Sequence, residues 1–329
     1  MLSQFFPIKF EALFRNYNIL NRTTYTDCFH FKVARQVPEY LVIIASRTDK
    51  NAASTINKSL NQENVKFLPL DLSSIAEVRS FAKSYIGGAY PPIQALILNA
   101  ALQFPDGVEK TVDGFEKTFA ISHIGNTLLF HLLYAQLAEN ARVVVVSSGT
   151  HDPAQKSGLP DAIYNSAEEL AHPTPETERY AGRQRYATTK LCNVLWTYAL
   201  HRRFAQLTGK NLTVVSFDPG LMPGTDLVRN EQRKLLQFIW FYILPRVMPL
   251  LRILIHHNIN TPSESGENMA WLAISSDVEG MSGKYYEKRK TIASSVDSYK
   301  EEKQEDLWKW TLENIASEEE LQSGAFEIV

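Results

Sequence analysis

The chain has 329 residues, which is enough for one large α/β domain or for two smaller ones. Hydrophobic residues make up 44% of it and charged residues 21%, a composition that excludes an intrinsically disordered protein. The net charge is −2 and the sequence has no basic block, so we expect no binding to nucleic acid.

The N-terminal part of the chain contains no glycine before Gly87. It also lacks the basic region, long apolar core and cleavage site of a signal peptide. The two cysteines, Cys28 and Cys192, have neither metal-binding nor redox spacing. The lack of signal-peptide features and the spacing of the cysteines predict a protein of a reducing, cytoplasmic compartment.

Five apolar runs alternate with helical patterns from residue 41 onward. Each run is apolar on both faces, which is typical of strands buried in a parallel sheet. The predicted strands cover 41–46, 65–70, 93–98, 142–147 and 212–217, and the predicted helices cover 52–60, 74–85, 113–137 and 183–207. This alternation predicts right-handed βαβ units and an α/β, doubly wound parallel sheet in one domain.

Two helix starts and one loop are marked by their residue types. Thr261-Pro262-Ser-Glu264 has the capping-box pattern with proline in the first helical position, so a helix should begin there. Ser73 is predicted to cap the helix that follows Asp71. The stretch 149–182 is rich in proline and acidic residues and predicts a long loop, which in a compact domain usually serves function.

The apolar segment 235–255 has about the length of a membrane span. Two prolines and two arginines interrupt it, which argues against a spanning helix. We interpret it as part of a lid over about 224–258 that covers a pocket; a peripheral contact with a membrane is the alternative. The apolar lid predicts a hydrophobic small-molecule substrate, on the evidence of Phe238, Trp240, Phe241 and Met248.

Tyr186 and Lys190 are four residues apart on a strong helical pattern, so their side chains should share one face. A free tyrosine has a pKa of about 10, and an ammonium group one turn away should lower it. Ser148 ends an apolar run and could hold a substrate oxygen. The bare Tyr-x-x-x-Lys pattern is equally typical of a solvated helix face, so the surrounding motifs decide between the two interpretations.

Those motifs resemble the short-chain dehydrogenase/reductase family, and within it the retinol-dehydrogenase-like and protochlorophyllide-reductase-like branch. The matching residues run from about Ala34 to the C-terminus. They are Ala45-Ser-Arg47, Leu70-Asp71-Leu72, Leu98-Asn99-Ala-Ala101, Ser147-Ser148, Tyr186-x-x-x-Lys190, Asp218-Pro219-Gly220 with Thr225, and Gly283-Lys-Tyr-Tyr286. The resemblance implies a Rossmann-like domain over 34–329, preceded by a divergent segment over 1–33.

The resemblance also implies catalytic roles. Tyr186 would be the general acid in reduction or the base in oxidation, and Lys190 would lower its pKa and bind the nicotinamide ribose. Ser148 would orient the substrate carbonyl or hydroxyl, with Ser147 as the competing assignment. Ser122 takes the place of an asparagine that supports the lysine through a water molecule, and being shorter it should do so less well.

Further positions would bind the cofactor. Asn99, with Ala100, would line the adenosine side, Asp71 and Leu72 would approach the adenine, and Pro219, Gly220 and Thr225 would lie along the nicotinamide. Arg47 ends the second strand of the family fold, where it suits the 2′-phosphate of NADP(H). Two simpler interpretations stay open: a solvated strand-end arginine, and a carboxylate of Asp71 that only serves the following helix.

The resemblance fails at the N-terminus, where the family binds the cofactor diphosphate with Thr-Gly-x-x-x-Gly-x-Gly. Counting back from Ala34, the equivalent stretch is about Thr23 to His30, and it contains no glycine. Side chains there should keep the backbone away from the diphosphate. The helix N-terminus and the hydroxyls of Thr24 and Thr26 could still bind phosphate, more weakly.

Three explanations of this departure stay open. The protein could be an enzyme with a weakened cofactor site, a non-catalytic descendant that keeps the fold for binding, or an enzyme whose first 33 or so residues come from a faulty gene model. The family also implies a homodimer paired through the helices that carry Tyr186. His256-His257 has no carboxylate or cysteine near it in the sequence, so we expect no metal site.

Overall fold

The computed structural model describes residues 25–104, 107–207, 209–225, 234–254 and 256–322. Strands and helices alternate through the first part of the chain. In order they are α1 (Tyr25–Gln36), β1 (Val42–Ser46), α2 (Ala52–Leu60), β2 (Val65–Pro69), α3 (Ile75–Gly87) and β3 (Ile93–Leu98). A helix α4 over 117–133 then consists of Lys117–Phe119, a π-helical turn Ala120–Ile124 and Gly125–Leu133.

The second part of the chain carries the longest helix and the remaining strands. In order the elements are β4 (Leu137–Val146), α5 (Ala167–Ala171), α6 (Gly182–Phe204), β5 (Thr213–Asp218), α7 (Lys234–Phe238) with a π-helical continuation Ile239–Ile243, α8 (Met248–Leu254), α9 (Pro262–Ile274), β6 (Lys284–Glu287), β7 (Lys290–Ile292), α10 (Glu301–Ile315) and α11 (Glu318–Gln322). The loop between β4 and α6 contains short 3₁₀ turns and α5, as a functional loop of that length often does.

The strands form two sheets. β1 and β2 pair in parallel, and a second sheet has the order β3-β4-β5-β6-β7, parallel except for β7. In the usual doubly wound order, the first strand of the fold lies between its second and fourth strands, which correspond to β1 and β3 here. Among the described residues, no strand occupies that place. By sequence, Tyr17-Asn-Ile-Leu20 is a poor candidate for this first strand, and it lies outside the described residues.

Two hydrophobic clusters cover the sheets. The first packs α3, α4, α6 and α10 on one face and includes Trp196 and Trp308, whose rings stack with centroids 6.3 Å apart. The second packs α1, α2 and α9 on the other face. It includes Val42 and Ile44 of the two-stranded sheet together with Val144 of the five-stranded sheet. Apolar contacts therefore join the two sheets across the place of the first strand.

The predicted α/β doubly wound fold is confirmed, and the structure corrects several boundaries. β4 begins at Leu137, five residues before its predicted start. The prediction missed this part of the strand because Glu139 and Asn140 interrupt the apolar pattern. The predicted helix over 113–137 is shorter in the structure, where it covers 117–133. β6 and β7 were not predicted, since each is short and mostly polar in sequence.

The capping predictions have different outcomes. The capping box at Thr261 is present, with the Thr261 and Glu264 side chains bonded to each other's backbone. The prediction for Ser73 was wrong: Ser74 caps α3 by accepting from the Glu77 amide. Ser73 instead donates from its amide and hydroxyl to Asp71, 2.8 and 2.7 Å away. The side chain of Asp71 therefore organises the turn before the cap.

Three further features bear on the sequence predictions. Helix α1 runs across residue 33, where the divergent segment was expected to end. Residues 187–200 of α6 are buried, and α10 packs on them. Within the described ranges, the helices are too short or too polar to cross a membrane.

Candidate active site

Tyr186 and Lys190 lie on the second and third turns of α6, against the carboxyl end of β4. The Lys190 ammonium is buried and donates to the carbonyl of Val146 at 3.0 Å, and it lies 5.5 Å from the centroid of the Tyr186 ring. Asn193, one turn further along, donates to the same carbonyl at 3.0 Å. The predicted pair is therefore brought together, with its lysine anchored on the last residue of the strand.

The electrostatic effect on Tyr186 differs from the sequence prediction. Burial raises the pKa of Tyr186, and the neighbouring Asp218 carboxylate raises it further. Burial also lowers the pKa of Lys190 to about 8. Removing both groups from water penalises their charged forms, and this cost outweighs the stabilisation of a phenolate that the i,i+4 spacing predicted. The phenol is thus held in its protonated form.

The two serines at the end of β4 point to different surroundings. Ser147 is buried and donates from Oγ to the backbone carbonyl of Lys190 at 2.7 Å. Ser148 is half-buried, and its Oγ accepts from the Thr150 amide at 3.3 Å. The hydroxyl of Ser147 is therefore committed to the protein interior, whereas Ser148 lies at the strand end with a weakly held hydroxyl.

Asp218 belongs to this site, although the sequence analysis assigned it no role. It ends β5 and is buried. Its Oδ2 accepts from the Gly149 amide at 2.9 Å and from Asn258 Nδ2 at 3.0 Å, and its Oδ1 accepts from the Gly220 amide at 2.9 Å. Burial raises the pKa of Asp218. The carboxylate ties the ends of β4 and β5 to the segment before α9; its strand-end position in the Asp-Pro-Gly motif was the available signal.

The residues after Asp218 form a rigid turn that leads to the lid. Gly220 has φ +79, and a Cβ there would lie 2.5 Å from the Asn258 carbonyl oxygen, so only glycine fits. The Pro219 carbonyl accepts from Ser265 Oγ at 2.6 Å. The Thr225 hydroxyl donates to the carbonyl of Met222 at 2.8 Å, and the Thr225 carbonyl accepts from Trp240 Nε1 at 2.9 Å. Thr225 therefore holds the described part of the lid in place.

Ser122 lies in the π-helical turn of α4. Its Oγ is buried and has no hydrogen-bond partner in the described part of the chain. It lines an internal cavity of about 10 Å³ together with Asn126 and Asn193. This volume is close to the smallest that can hold one water molecule. Asn193, which lines this cavity, bonds to the same Val146 carbonyl as Lys190 does.

Arg47 and Asp71, the residues predicted for the adenosine side, border one surface cavity. The cavity measures about 320 Å³ and is also lined by Glu77 and Ser80 of α3. Leu72 is held close to α4 because Gly125 has no side chain: a Cβ there would lie 2.5 Å from the Leu72 carbonyl oxygen. The structure thus brings Arg47, Asp71 and Leu72 to the same edge of the two-stranded sheet.

Asn99 and Ala100 follow β3 and lie beside the gap between the sheets. The carbonyl of Ala100 accepts from Asn126 Nδ2 at 3.1 Å. The Oδ1 of Asn99 accepts a hydrogen bond from the hydroxyl of Tyr25, the first residue of α1. Tyr25 belongs to the stretch that replaces the glycine-rich loop, and sequence reasoning did not find this contact, which joins residues 74 positions apart.

This arrangement of a tyrosine, a lysine and a serine at the carboxyl edge of a doubly wound sheet defines an oxidoreductase, and comparison with known proteins agrees. Human polyprenol dehydrogenase is 31% identical over 277 residues, which cover 81% of this chain and 75% of that protein. The chain belongs to the short-chain dehydrogenase/reductase family. Within it, the chain falls in the retinol-dehydrogenase-like branch: mouse retinol dehydrogenase 14 is 33% identical over 219 residues, covering 66% of this chain and 57% of that protein.

Two other comparisons concern one region and the fold. A family model described as the AcuH dehydrogenase domain matches residues 227–323. The crystal structure of the angucycline C-6 ketoreductase LanV with bound NADP superposes with a TM-score of 0.55 at 16% sequence identity, covering 80% of this chain and 89% of that one. At this identity the likeness supports the fold alone.

The family implies a nicotinamide cofactor, and the residues present fit it unevenly. The adenosine half fits, because Arg47 and Asp71 border a cavity at the sheet edge. The space between that cavity and Tyr186 does not fit in this conformation, because the Tyr25 side chain bonds to Asn99 and lies near Tyr186. The family's glycine loop would leave that space open for the diphosphate. In this chain the Tyr25 side chain lies in that space.

Proposed function

We propose that the protein is an NADP(H)-dependent oxidoreductase that interconverts the carbonyl and alcohol forms of a hydrophobic small molecule. The observation that carries this proposal is the position of Tyr186 beside Lys190, whose ammonium bonds to the last residue of β4, two residues before Ser148. A bound nicotinamide would supply or accept the hydride. The proton is the part of the reaction that falls to this chain.

Tyr186 transfers that proton between its phenol and the substrate oxygen. Burial raises the pKa of Tyr186, so the proton stays on the phenol until the substrate oxygen accepts it. Ser148 orients the substrate oxygen with its weakly held hydroxyl. Lys190, with a pKa lowered by burial to about 8, provides positive charge beside the phenol and so stabilises the phenolate that forms as the proton leaves.

The preference for NADP(H) over NAD(H) is supported by Arg47. This residue is exposed at the end of β1 and borders the cavity that Asp71 also lines. A guanidinium group at this position suits a 2′-phosphate, whereas a carboxylate would suit a free ribose hydroxyl.

A second candidate function is ligand binding without a nucleotide, and the contact between Tyr25 and Asn99 favours it. Titration of purified protein with NADPH, followed by fluorescence, separates the two. Binding, together with NADPH-dependent reduction of apolar aldehydes and ketones that Tyr186→Phe abolishes, supports the enzyme. Well-folded protein that shows no binding supports the alternative. Retained turnover in Tyr186→Phe would remove the proposed proton donor.

We also propose that the lid helices α7 and α8 contact a membrane surface peripherally, on the side from which an apolar substrate enters. Large apolar side chains stand out from them, with Leu235 and Leu254 each 70% and Ile253 81% exposed. Over 232–263 the sequence has four arginines or lysines and no acidic residue; Arg252 is paired with Glu264, and the remaining cations complement anionic lipid. The buried free thiols of Cys28 and Cys192 agree with a cytoplasmic membrane face.

Flotation with vesicles tests this contact. We expect binding to phosphatidylcholine vesicles that contain phosphatidylserine, weaker binding without it, and release by salt. The double variant Ile253→Glu/Leu254→Glu should float poorly, whereas Val112→Glu, at a site 88% exposed outside the lid, should behave as wild type. Unchanged flotation of the double variant would contradict the contact.

A further inference from the structure

Helix α1 begins with a side chain that points into the cofactor cleft. Its first residue, Tyr25, donates a hydrogen bond from its hydroxyl to Oδ1 of Asn99, which follows β3. The contact joins the stretch that replaces the family's glycine-rich loop to a residue that the resemblance assigned to cofactor binding. Tyr25 therefore occupies a defined position in the site.

The start of α1 is held firmly against α9. A Cβ at Gly266 would lie 2.8 Å from the Tyr25 carbonyl oxygen, the Phe29 amide and the Cys28 side chain, so the two helix backbones touch without an intervening side chain. One position along α9, Glu267 forms an ion pair with the buried Lys32 at 3.0 Å. These contacts fix the point from which the Tyr25 side chain reaches into the cleft.

The other end of Tyr25 lies among the catalytic residues. Its phenol is close enough to Tyr186 and Asp218 for both to raise its pKa, in addition to the larger effect of burial. The phenol thus lies at the end of β3, with Tyr186 and Asp218 near it. A dinucleotide that reaches from the Arg47 cavity to Lys190 must cross this same space.

We propose that Tyr25 is an intramolecular competitor for the nicotinamide cofactor: the cofactor binds only when the Tyr25 side chain leaves Asn99. This inference rests on the proposed function. The competing state lowers the apparent affinity in proportion to its population, so removing the side chain restores the intrinsic affinity. Where the family has a glycine-rich loop that binds the diphosphate, this chain has a side chain that must move before the cofactor binds.

Measurement of the dissociation constant for NADPH by calorimetry tests the proposal on four proteins. We expect Tyr25→Ala to bind about tenfold more tightly than wild type. Tyr25→Phe keeps the ring but loses the bond to Asn99, so it should bind about two- to tenfold more tightly. The matched control Tyr40→Ala removes a tyrosine that is 47% exposed outside the cleft, and it should bind as wild type does.

The outcomes separate the two proposals. Equal affinity in wild type, Tyr25→Phe and Tyr25→Ala overturns the competitor role and leaves the oxidoreductase standing, and weaker binding in both variants overturns it as well. Absence of NADPH binding in all four folded proteins overturns the NADP-dependent function together with the competitor. Circular dichroism establishes that each variant is folded; if Tyr25→Ala fails to fold, Tyr25→Phe alone decides the result.

Discussion

The hydroxyl of Ser147 donates a 2.7 Å hydrogen bond to the backbone carbonyl of Lys190. Lys190 in turn donates from its ammonium to the carbonyl of Val146 at 3.0 Å. Two bonds in opposite directions therefore fix the register of α6 on the end of β4. The position of Tyr186 on β4 is therefore set by two buried hydrogen bonds to backbone carbonyls.

Ser147 and Ser148 should respond differently to the same substitution. Ser147→Ala should lower the free energy of unfolding by about 1 kcal/mol, because the interior loses a buried hydrogen bond. Ser148→Ala should change that energy by less than about 1 kcal/mol while lowering kcat about 100-fold, since its hydroxyl would orient the substrate. Urea denaturation and steady-state kinetics with NADPH measure both effects. The opposite pattern would exchange the two roles.

Gly220 should tolerate no side chain. Gly220→Ala would place a Cβ 2.5 Å from the Asn258 carbonyl oxygen at φ +79, so we expect it to lower the free energy of unfolding by about 2 kcal/mol or more. Gly87→Ala is the matched control. No atom lies within 4 Å of its Cβ at the end of α3, and alanine there should stabilise by up to about 1 kcal/mol. Thermal and urea unfolding would show the contrast; equal effects would contradict it.

Lys190 should make stability depend on pH. Burial lowers its pKa from 10.5 to about 8, so between these values the unfolded chain binds more protons at this residue than the folded chain does. Its contribution to the free energy of unfolding therefore rises with pH across that window and is least favourable below it. We expect wild type to gain stability relative to Lys190→Met as the pH rises from about 8 to about 10. Parallel curves from urea denaturation would refute the shift.

Arg47 should decide the choice of nucleotide. We expect Arg47→Ala to reduce the preference for NADPH over NADH by about tenfold, because the loss of a charge-assisted contact affects only the phosphorylated ribose. Lys50→Ala removes an exposed charge three residues away and should leave the preference intact. Calorimetric titration of each protein with both nucleotides measures it. Wild type that binds NADH as tightly as NADPH would rule out this role of Arg47.

The sequence was informative where structure depends on local pattern. Apolar runs predicted five strands of the sheets, and the i,i+4 spacing placed Tyr186 and Lys190 on one helix face beside the end of β4. Capping chemistry at Thr261 was predicted correctly because all of its partners lie within four residues. The sequence analysis chose Ser73 as the cap of α3, but Ser74 is the cap, since either serine could accept from the same amides.

Other features depend on groups that are distant in sequence. The raised pKa of Tyr186 follows from burial and from Asp218, 32 positions along the chain, and spacing alone cannot supply either. The bond between Tyr25 and Asn99 depends on how closely α1 packs on α9, which Gly266 allows. The absence of glycine from the first loop predicted that side chains would obstruct the cofactor. It could not predict which side chain, or what it would bind.

The second hydrophobic cluster holds the two-stranded and five-stranded sheets together in the described part of the chain. A ladder of backbone hydrogen bonds prescribes the distance and the twist between neighbouring strands, whereas aliphatic contacts prescribe neither. Among the described residues, the packing of α1 and α9 therefore joins the two sheets without strand pairing, so the fit between these two helices bears directly on the geometry of the cleft beside Asn99.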